Sequence, residues 1–256
     1  MKFSFRYVVL PLFLSVLVGF SACGDDEVVA TTNLGSVELI IQGELQGENL
    51  ALESQTYDAA GAIEGFRLTR LSFFLSDLRL VEVRDGQSFE TPIADVAYFN
   101  LGPSGLDSEV FDTIPAGDYT SLRFNFGLTA EQDMTNPSDY STTHPLGESA
   151  EYWHDWESYI FTKIEGKSDN LEDNQERFDD SFVFHIGVSA ENAKAGEIAI
   201  DMPVRGGSND LVLNFDVATL MQLNTADEIP LTQFIHGGPL TDQIPSSAIS
   251  AFSAAE

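Results

Sequence analysis

Residues 66–83 read FRLTRLSFFLSDLRLVEV, in which apolar residues recur at short intervals over a length that suits two β-strands or one bent strand. The cleanest alternation of apolar and polar residues is SLRFNF at residues 121–126. A period of two is typical of strands with one buried face, because successive side chains point to opposite sides of a sheet. The same pattern predicts strands in four further runs, at residues 37–42, 182–187, 198–202 and 211–217.

Turn-forming residues separate these runs at short intervals, as in Asp85-Gly86, Gly102-Pro103 and Gly206-Gly207. Only residues 216–223 look like a short helix, and no longer helices alternate with the strands as a parallel sheet would require. The sequence therefore predicts an all-β fold, an antiparallel β-sandwich of the Ig-like or Greek-key type. We expect it to form one domain over residues 36–256.

The composition excludes several classes of protein. The chain has 12 Lys and Arg against 41 Asp and Glu, a net charge of −29, and its few cations are scattered, so nucleic acid is not an expected partner. The single cysteine excludes an internal disulfide framework and any site built from several thiolates. With 43% hydrophobic residues and 19 Phe, the chain has enough apolar surface to fold.

The amino terminus predicts a cleaved leader. Lys2 and Arg6 precede an apolar run at residues 7–20. At 1.5 Å per residue this run spans about 21 Å, which is less than the roughly 30 Å of a bilayer core. We interpret residues 1–22 as a signal peptide. Cys23 directly after Ala22 resembles a bacterial lipobox and predicts lipidation of Cys23, with ordinary secretion and an incidental cysteine as the alternative.

Cleavage before Cys23 removes two cations and no acid, so the net charge of the mature chain falls to −31. Anionic lipid headgroups repel such a protein, so the acyl chains must hold it at the membrane. Residues 23–35 are predicted to be a tether, and its acidic start at residues 25–27 resembles a surface-export signal. We expect an outer-membrane lipoprotein that faces the periplasm or the cell surface.

The most unusual segment of the sequence is EYWHDWESYIFTKIEG at residues 151–166, which contains both tryptophans and His154. If this segment is extended, Trp153 and Trp156 lie on opposite sides, whereas a tight turn places them on one face. Packing of the two indoles in the core is the alternative to a functional role.

Two further histidines are informative. His185 points away from the apolar face of its predicted strand, and His236 precedes two glycines. Imidazoles without thiolates suit copper, zinc, nickel or iron, although four scattered histidines form no spacing motif. The chain has no G-x-S-x-G or H-E-x-x-H motif, so we do not expect an enzyme.

Six blocks carry a family resemblance, LSFFLSDLRL at 71–80, IPAGDY at 114–119, LRFNFG at 122–127, YWHDW at 152–156 with Ser158-Tyr159, IEG at 164–166, and FHIG at 184–187. Together they resemble the MbnP-like family, the copper-binding proteins associated with methanobactin systems, which include many lipoproteins. They run in the family's order over about residues 36–250. The Trp-x-x-Trp and Phe-His-x-Gly blocks are the most specific.

The resemblance implies a β-sandwich that binds copper through histidine. His185 matches the family's Phe-His-x-Gly histidine, Trp153 and Trp156 match its paired tryptophans, and His236 falls near a late histidine. His154 is a metal candidate only because of its proximity. In some members a dihaem peroxidase-like partner oxidises a tryptophan to kynurenine. Where the family usually has Met before Tyr-Trp, this chain has Glu151.

Two functions follow as hypotheses. The first is a lipid-anchored, non-enzymatic copper-binding protein for copper acquisition or storage, with metal ligands among the histidines and tryptophans named above. The second is a metal-free surface adhesion or glycan-binding sandwich that uses the indoles as a stacking platform. The sequence contains no group of residues that supports a hydrolase.

Overall fold

The computed structural model describes residues 33–58, 65–169, 177–187, 193–223, 231, 234–236 and 240–255. The predicted signal peptide, the lipidation site at Cys23 and all but the end of the predicted tether lie outside these ranges. Within them, no helix has both the length and the apolar character needed to cross a membrane. The first strand begins two residues before the predicted start of the domain, at Leu34.

Strands dominate the described chain. They are connected by tight turns and by a long cover segment, residues 127–157, that contains three short 3-10 helices. The elements in chain order are β1 (Leu34–Leu45), β2 (Glu48–Asn49), β3 (Gly65–Arg84), β4 (Gln87–Asn100), β5 (Leu106–Pro115), β6 (Gly117–Phe126), α1 (Ala130–Asp133), β7 (Tyr152–Trp153), β8 (Ser158–Asp169), β9 (Asp180–Gly187), β10 (Lys194–Val204), β11 (Gly207–Asp216), α2 (Val217–Leu220), β12 (Phe234–Ile235), α3 (Leu240–Ala251) and β13 (Phe252–Ala254).

The strands form two sheets that face each other, which confirms the predicted all-β sandwich. The smaller sheet has the order β13-β11-β1-β2, with β5 also pairing with β1. The larger sheet has the order β10-β6-β3-β8-β9-β12, with β4 on β3 and β7 on β8. Most pairs are antiparallel as predicted, but β1 pairs with β11 and β9 pairs with β12 in parallel. Parallel pairs need long connections, which here run through the other elements of the sandwich.

The stretch at residues 66–83 is one long strand, β3, rather than two. Register shifts lie between Leu68 and Arg70 and between Ser76 and Arg79, so the strand bends at these points. Its first half pairs with β8 and its second half with β6, while β4 occupies the other edge. One strand therefore connects most of the larger sheet.

The core between the sheets is rich in phenylalanine. The ring of Phe73 on β3 lies 4.9 Å from that of Phe215 on β11, and 5.7, 5.4 and 6.0 Å from those of Phe99, Phe126 and Phe252. Such aromatic pairs add to the free energy gained by burial. Phe73 therefore lies where the two sheets make contact.

The described residues contain two α-helices that the sequence did not predict, the four-residue α1 and the longer α3. The predicted helix near residues 216–223 is present as α2, which Asp216 caps through the backbone amide of Ala218. The 12-residue α3 near the carboxyl end was not predicted. Its buried residues Ile244, Ala248 and Ala251 lie on one helical face, but two of them are small. The apolar pattern that would predict α3 is therefore weak.

The cover segment packs on the outer face of the larger sheet and gives it a second, smaller core. Phe74 on β3, Tyr159 and Phe161 on β8, and Leu128, Leu146 and Tyr152 of the cover segment are buried together. As a result β8 is buried on both faces over most of its length, which an alternating pattern does not predict. The cover segment also places β7 at the edge of the candidate site.

Candidate metal centre

A tight turn between β7 and β8 brings the two tryptophans together. Tyr152 pairs with Tyr159 and Trp153 with Ser158, and the amide of Trp156 donates a hydrogen bond of 3.1 Å to the carbonyl of Trp153. The indole rings stack with centroids 4.2 Å apart and planes 16° from parallel. Of the two arrangements considered from the sequence, the structure has the turn, with both indoles on one face.

Two histidines from neighbouring strands face this stack. His185 on β9 points to the outer face as predicted, and His236 directly follows β12, which pairs with β9. The imidazole centroids lie 5.0 Å apart. The ring of Trp153 is 4.7 Å from that of His236 and 6.1 Å from that of His185. The structure thus brings together four of the five predicted metal-site residues in direct ring contacts.

Glycines allow the strands around the site to approach closely. A Cβ atom on Gly187 would lie 2.2 Å from the carbonyl oxygen of Tyr159, and one on Gly166 would lie 2.2 Å from the ring of Phe182. Real side chains do not approach this closely, so neither position can carry one without moving its neighbours. The glycines of the Ile-Glu-Gly and Phe-His-x-Gly blocks are therefore packing requirements of the β8–β9 pair, which carries His185.

The carboxylate of Glu165 on β8 orients His185. Oε1 of Glu165 lies 2.7 Å from Nε2 of His185. A carboxylate accepts hydrogen bonds, so Nε2 carries the proton and Nδ1 remains as the nitrogen that can bind a ligand. A carboxylate that holds one imidazole nitrogen is the usual second partner of a metal-binding histidine.

Burial lowers the pKa of His185 below its usual value, the hydrogen bond to Glu165 opposes this shift, and the positive charge of Lys163 lowers the pKa further. The balance favours the neutral imidazole, which is the form that binds metals. On the second ring, Nδ1 of His236 is buried and has no hydrogen-bond partner among the described residues. A buried polar atom without a partner is costly unless a ligand occupies it.

His154 takes a different place from the other candidates. Its exposed ring packs edge-on against Tyr152, with centroids 5.3 Å apart. It lines an open cleft of about 500 Å³ together with His185, His236 and Trp153. Within the described ranges, no group of three or more His, Cys, Asp or Glu side chains is arranged as a metal site. The centre is therefore a pair of imidazoles beside indoles.

Sequence reasoning missed Glu165. Its only sequence signal is its position in the Ile-Glu-Gly block, and its role depends on the pairing of β8 with β9. In that register Lys163 lies opposite His185, with Glu165 two residues further along β8. An interpretation without the sheet register could not place these two side chains together.

The fold and the cleft define a class of protein, a two-sheet β-sandwich with a histidine–tryptophan centre on the outer face of its larger sheet. The chain belongs to the MbnP family, since the family's sequence profile matches residues 34–236. This confirms the resemblance seen in the sequence blocks. No curated protein matches the chain.

A solved structure, MbnP from Methylosinus trichosporium, is similar to this chain with a TM-score of 0.50 and 15% sequence identity. The match covers 80% of this chain and 82% of that chain. At this identity the likeness shows the shared fold alone.

Proposed function

We propose that this protein is a lipid-anchored, non-enzymatic copper-binding protein in which His185 and His236 hold the ion beside Trp153. The observation that carries the proposal is the pair of imidazoles 5.0 Å apart. One is oriented by Glu165, and the other has a buried Nδ1 that no described residue hydrogen-bonds. Histidine nitrogens bind metal ions at about 2 Å, so two rings that share an ion must lie about this close.

Copper is the metal that these residues favour. Imidazole is a good ligand for copper, and copper(II) binds more tightly than zinc to a given set of nitrogen ligands. The single cysteine is assigned to the lipid anchor, so the ligands proposed at this centre are imidazole nitrogens. The residues present fit an ion of either copper oxidation state, while His154 and Trp156 border the centre as further contacts.

The proposed setting is the outer membrane, facing the periplasm or the cell surface, with acyl chains at Cys23 as the link to the bilayer. There the protein would acquire or store copper. A dihaem peroxidase-like enzyme is proposed as a partner that oxidises Trp153 or Trp156. The exposed indole of Trp156, with 41% of its surface accessible, supports access by such an enzyme.

Copper titration of residues 24–256, the mature protein without its lipidated Cys23, tests the function. Metal-free protein titrated with copper in competition with a chelator of known affinity should bind one equivalent per chain. The matched control is the His144→Ala variant, because His144 caps a 3-10 helix through Leu146 and stacks on Tyr140 outside the centre. Absence of stoichiometric binding in the wild type would overturn the proposal.

Removing the orienting carboxylate should weaken copper binding without abolishing it. We expect Glu165→Ala to lower the affinity about 10- to 100-fold, the usual cost of losing an outer partner of a ligating histidine. Glu165→Gln should retain most of the affinity because its amide oxygen still accepts from Nε2 of His185. Competition titration of both variants measures this, and wild-type affinity in Glu165→Ala would contradict the assigned role.

The alternative is a metal-free surface adhesion or glycan-binding protein. Its support is the outward face of Trp156, since one face of this indole covers Trp153 while the other meets solvent. A stacking platform predicts glycan binding that Trp156→Ala abolishes and that a chelator leaves unchanged. Glycan-array binding with these two properties, together with no copper binding, would favour the alternative.

A further inference from the structure

A buried carboxylate lies directly beside the candidate metal centre, in the cover segment. Glu151 immediately precedes β7, the two-residue strand that carries Trp153, and its side chain is only 1% exposed. Burial of an unpaired carboxylate is strongly unfavourable, so such a group is expected to be held by several partners.

Three strands of the larger sheet supply those partners. From β3, the guanidinium of Arg70 forms a hydrogen-bonded ion pair with Oε1 of Glu151, and the hydroxyl of Ser72 lies 3.3 Å from the same oxygen. From β4, the hydroxyl of Tyr98 donates to Oε1 over 2.6 Å. Burial raises the pKa of Tyr98, and the negative charge of Glu151 raises it further, so the phenol stays protonated as a donor.

The fourth partner, Lys163 on β8, binds the same segment twice. Its ammonium lies 3.1 Å from Oε2 of Glu151 and donates a hydrogen bond to the backbone carbonyl of Ala150. Among the described residues, the contact of Oε2 is this ion pair with Lys163. Together these contacts fix residues 150–151 against β3, β4 and β8.

We propose that Glu151 is a positioning residue, whose ion cluster with Arg70 and Lys163 holds β7 so that Trp153 faces the two histidines. Backbone pairing alone fixes the position of β7 only weakly, because β7 pairs with β8 at only two positions and a strand pair this short is marginally stable. Side-chain anchors must therefore set its position, and Glu151 is adjacent to the strand on the side away from the turn.

The same two cations also lie next to the histidine side of the centre. Lys163 is directly opposite His185 in the β8–β9 register, and Arg70 is opposite Glu165 in the β3–β8 register. Arg70 and Lys163 thus stand between two carboxylates, Glu151 at the tryptophan strand and Glu165 at His185. Neutralising Glu151 removes a negative charge that offsets the positive charges of Arg70 and Lys163. Both positive charges lie close to the imidazole pair.

The experiment uses Glu151→Gln in the metal-free mature protein. The amide keeps the shape of the side chain but removes its charge and places a donor where Lys163 needs an acceptor. Two stacked indoles give an exciton couplet in circular dichroism, which reports the Trp153–Trp156 geometry directly. We expect the variant to stay folded and to lose most of this couplet.

Glu82→Gln is the matched control, because Glu82 is also a buried carboxylate on this sheet and pairs with Arg84 at the far end of β3. We expect Glu82→Gln to lower the free energy of unfolding but to keep the exciton couplet. This result would distinguish a positioning role of Glu151 from a general contribution to stability. If Glu151→Gln does not fold, Tyr98→Phe removes one hydrogen bond to the same carboxylate and should reduce the couplet in part. An unchanged couplet in the folded Glu151→Gln variant, or in Tyr98→Phe if needed, overturns the proposal.

A second measurement, the affinity for copper, rests on the proposed function. If the wild type binds copper, Glu151→Gln should weaken binding about tenfold, the lower end of the effect of outer-shell changes, while Glu82→Gln should not. The couplet is measured without metal, so absence of copper binding in the wild type would refute the function and leave the positioning test intact. Unchanged affinity in the folded Glu151→Gln variant would show that the position of Trp153 does not matter to the ion.

Discussion

Replacing His185 by alanine is expected to remove tight copper binding. The variant leaves one imidazole, His236, where the wild type has two rings 5.0 Å apart. The loss should exceed about 100-fold, since even changes in groups that only orient a ligand cost 10- to 100-fold. His236→Ala should have a comparable effect. Competition titration of each mature variant against a copper chelator measures both.

Two other histidines provide the controls for this experiment. His144→Ala should bind copper as the wild type does, because His144 stacks on Tyr140 away from the cleft. His154→Ala tests the remaining predicted ligand and should cost much less than His185→Ala, because its exposed ring packs on Tyr152 instead of the imidazole pair. A His185→Ala variant that is folded and binds copper with wild-type affinity would contradict the assignment.

Truncation of Phe73 is expected to destabilise the fold more than any surface change. Its ring contacts Phe99 and Phe126 in its own sheet and Phe215 and Phe252 in the opposite sheet. Phe73→Ala leaves a cavity between the sheets and should cost about 3–5 kcal/mol in the free energy of unfolding. Urea denaturation followed by circular dichroism measures the change.

Phe89→Ala is the matched control, since Phe89 on β4 has 44% of its surface exposed. The same chemical change there should cost less than about 1 kcal/mol. Equal losses in the two variants would mean that Phe73 does not join the two sheets in the way described.

Most of the fold was predictable because half-buried strands give a period of two. The runs at 121–126 and 182–187 lie in β6 and β9, and the helix at 216–223 is present as α2. Two features were hidden for physical reasons. The helix α3 buries small alanines that give a weak pattern, and β8 is buried on both faces because the cover segment packs over it.

The histidines and tryptophans of the candidate site could be listed from the sequence, but their arrangement could not. His185 could be placed on the outer face from alternation alone, whereas the contact with His236 depends on the parallel pairing of β9 with the two-residue β12. Glu165 is one of 41 acids in the sequence, and Glu151 stands out only as a departure from the methionine usual in the family. Their roles depend on sheet register and on the cover segment, which bring distant parts of the chain together.

We propose one copper ion between the imidazoles of His185 and His236. Crystals of the copper-loaded mature protein, measured at the copper absorption edge, locate the ion directly by anomalous scattering. We expect one strong peak between the rings of His185 and His236, next to Trp153, and none at His144. A dominant peak elsewhere, or no peak in copper-saturated crystals, would contradict it.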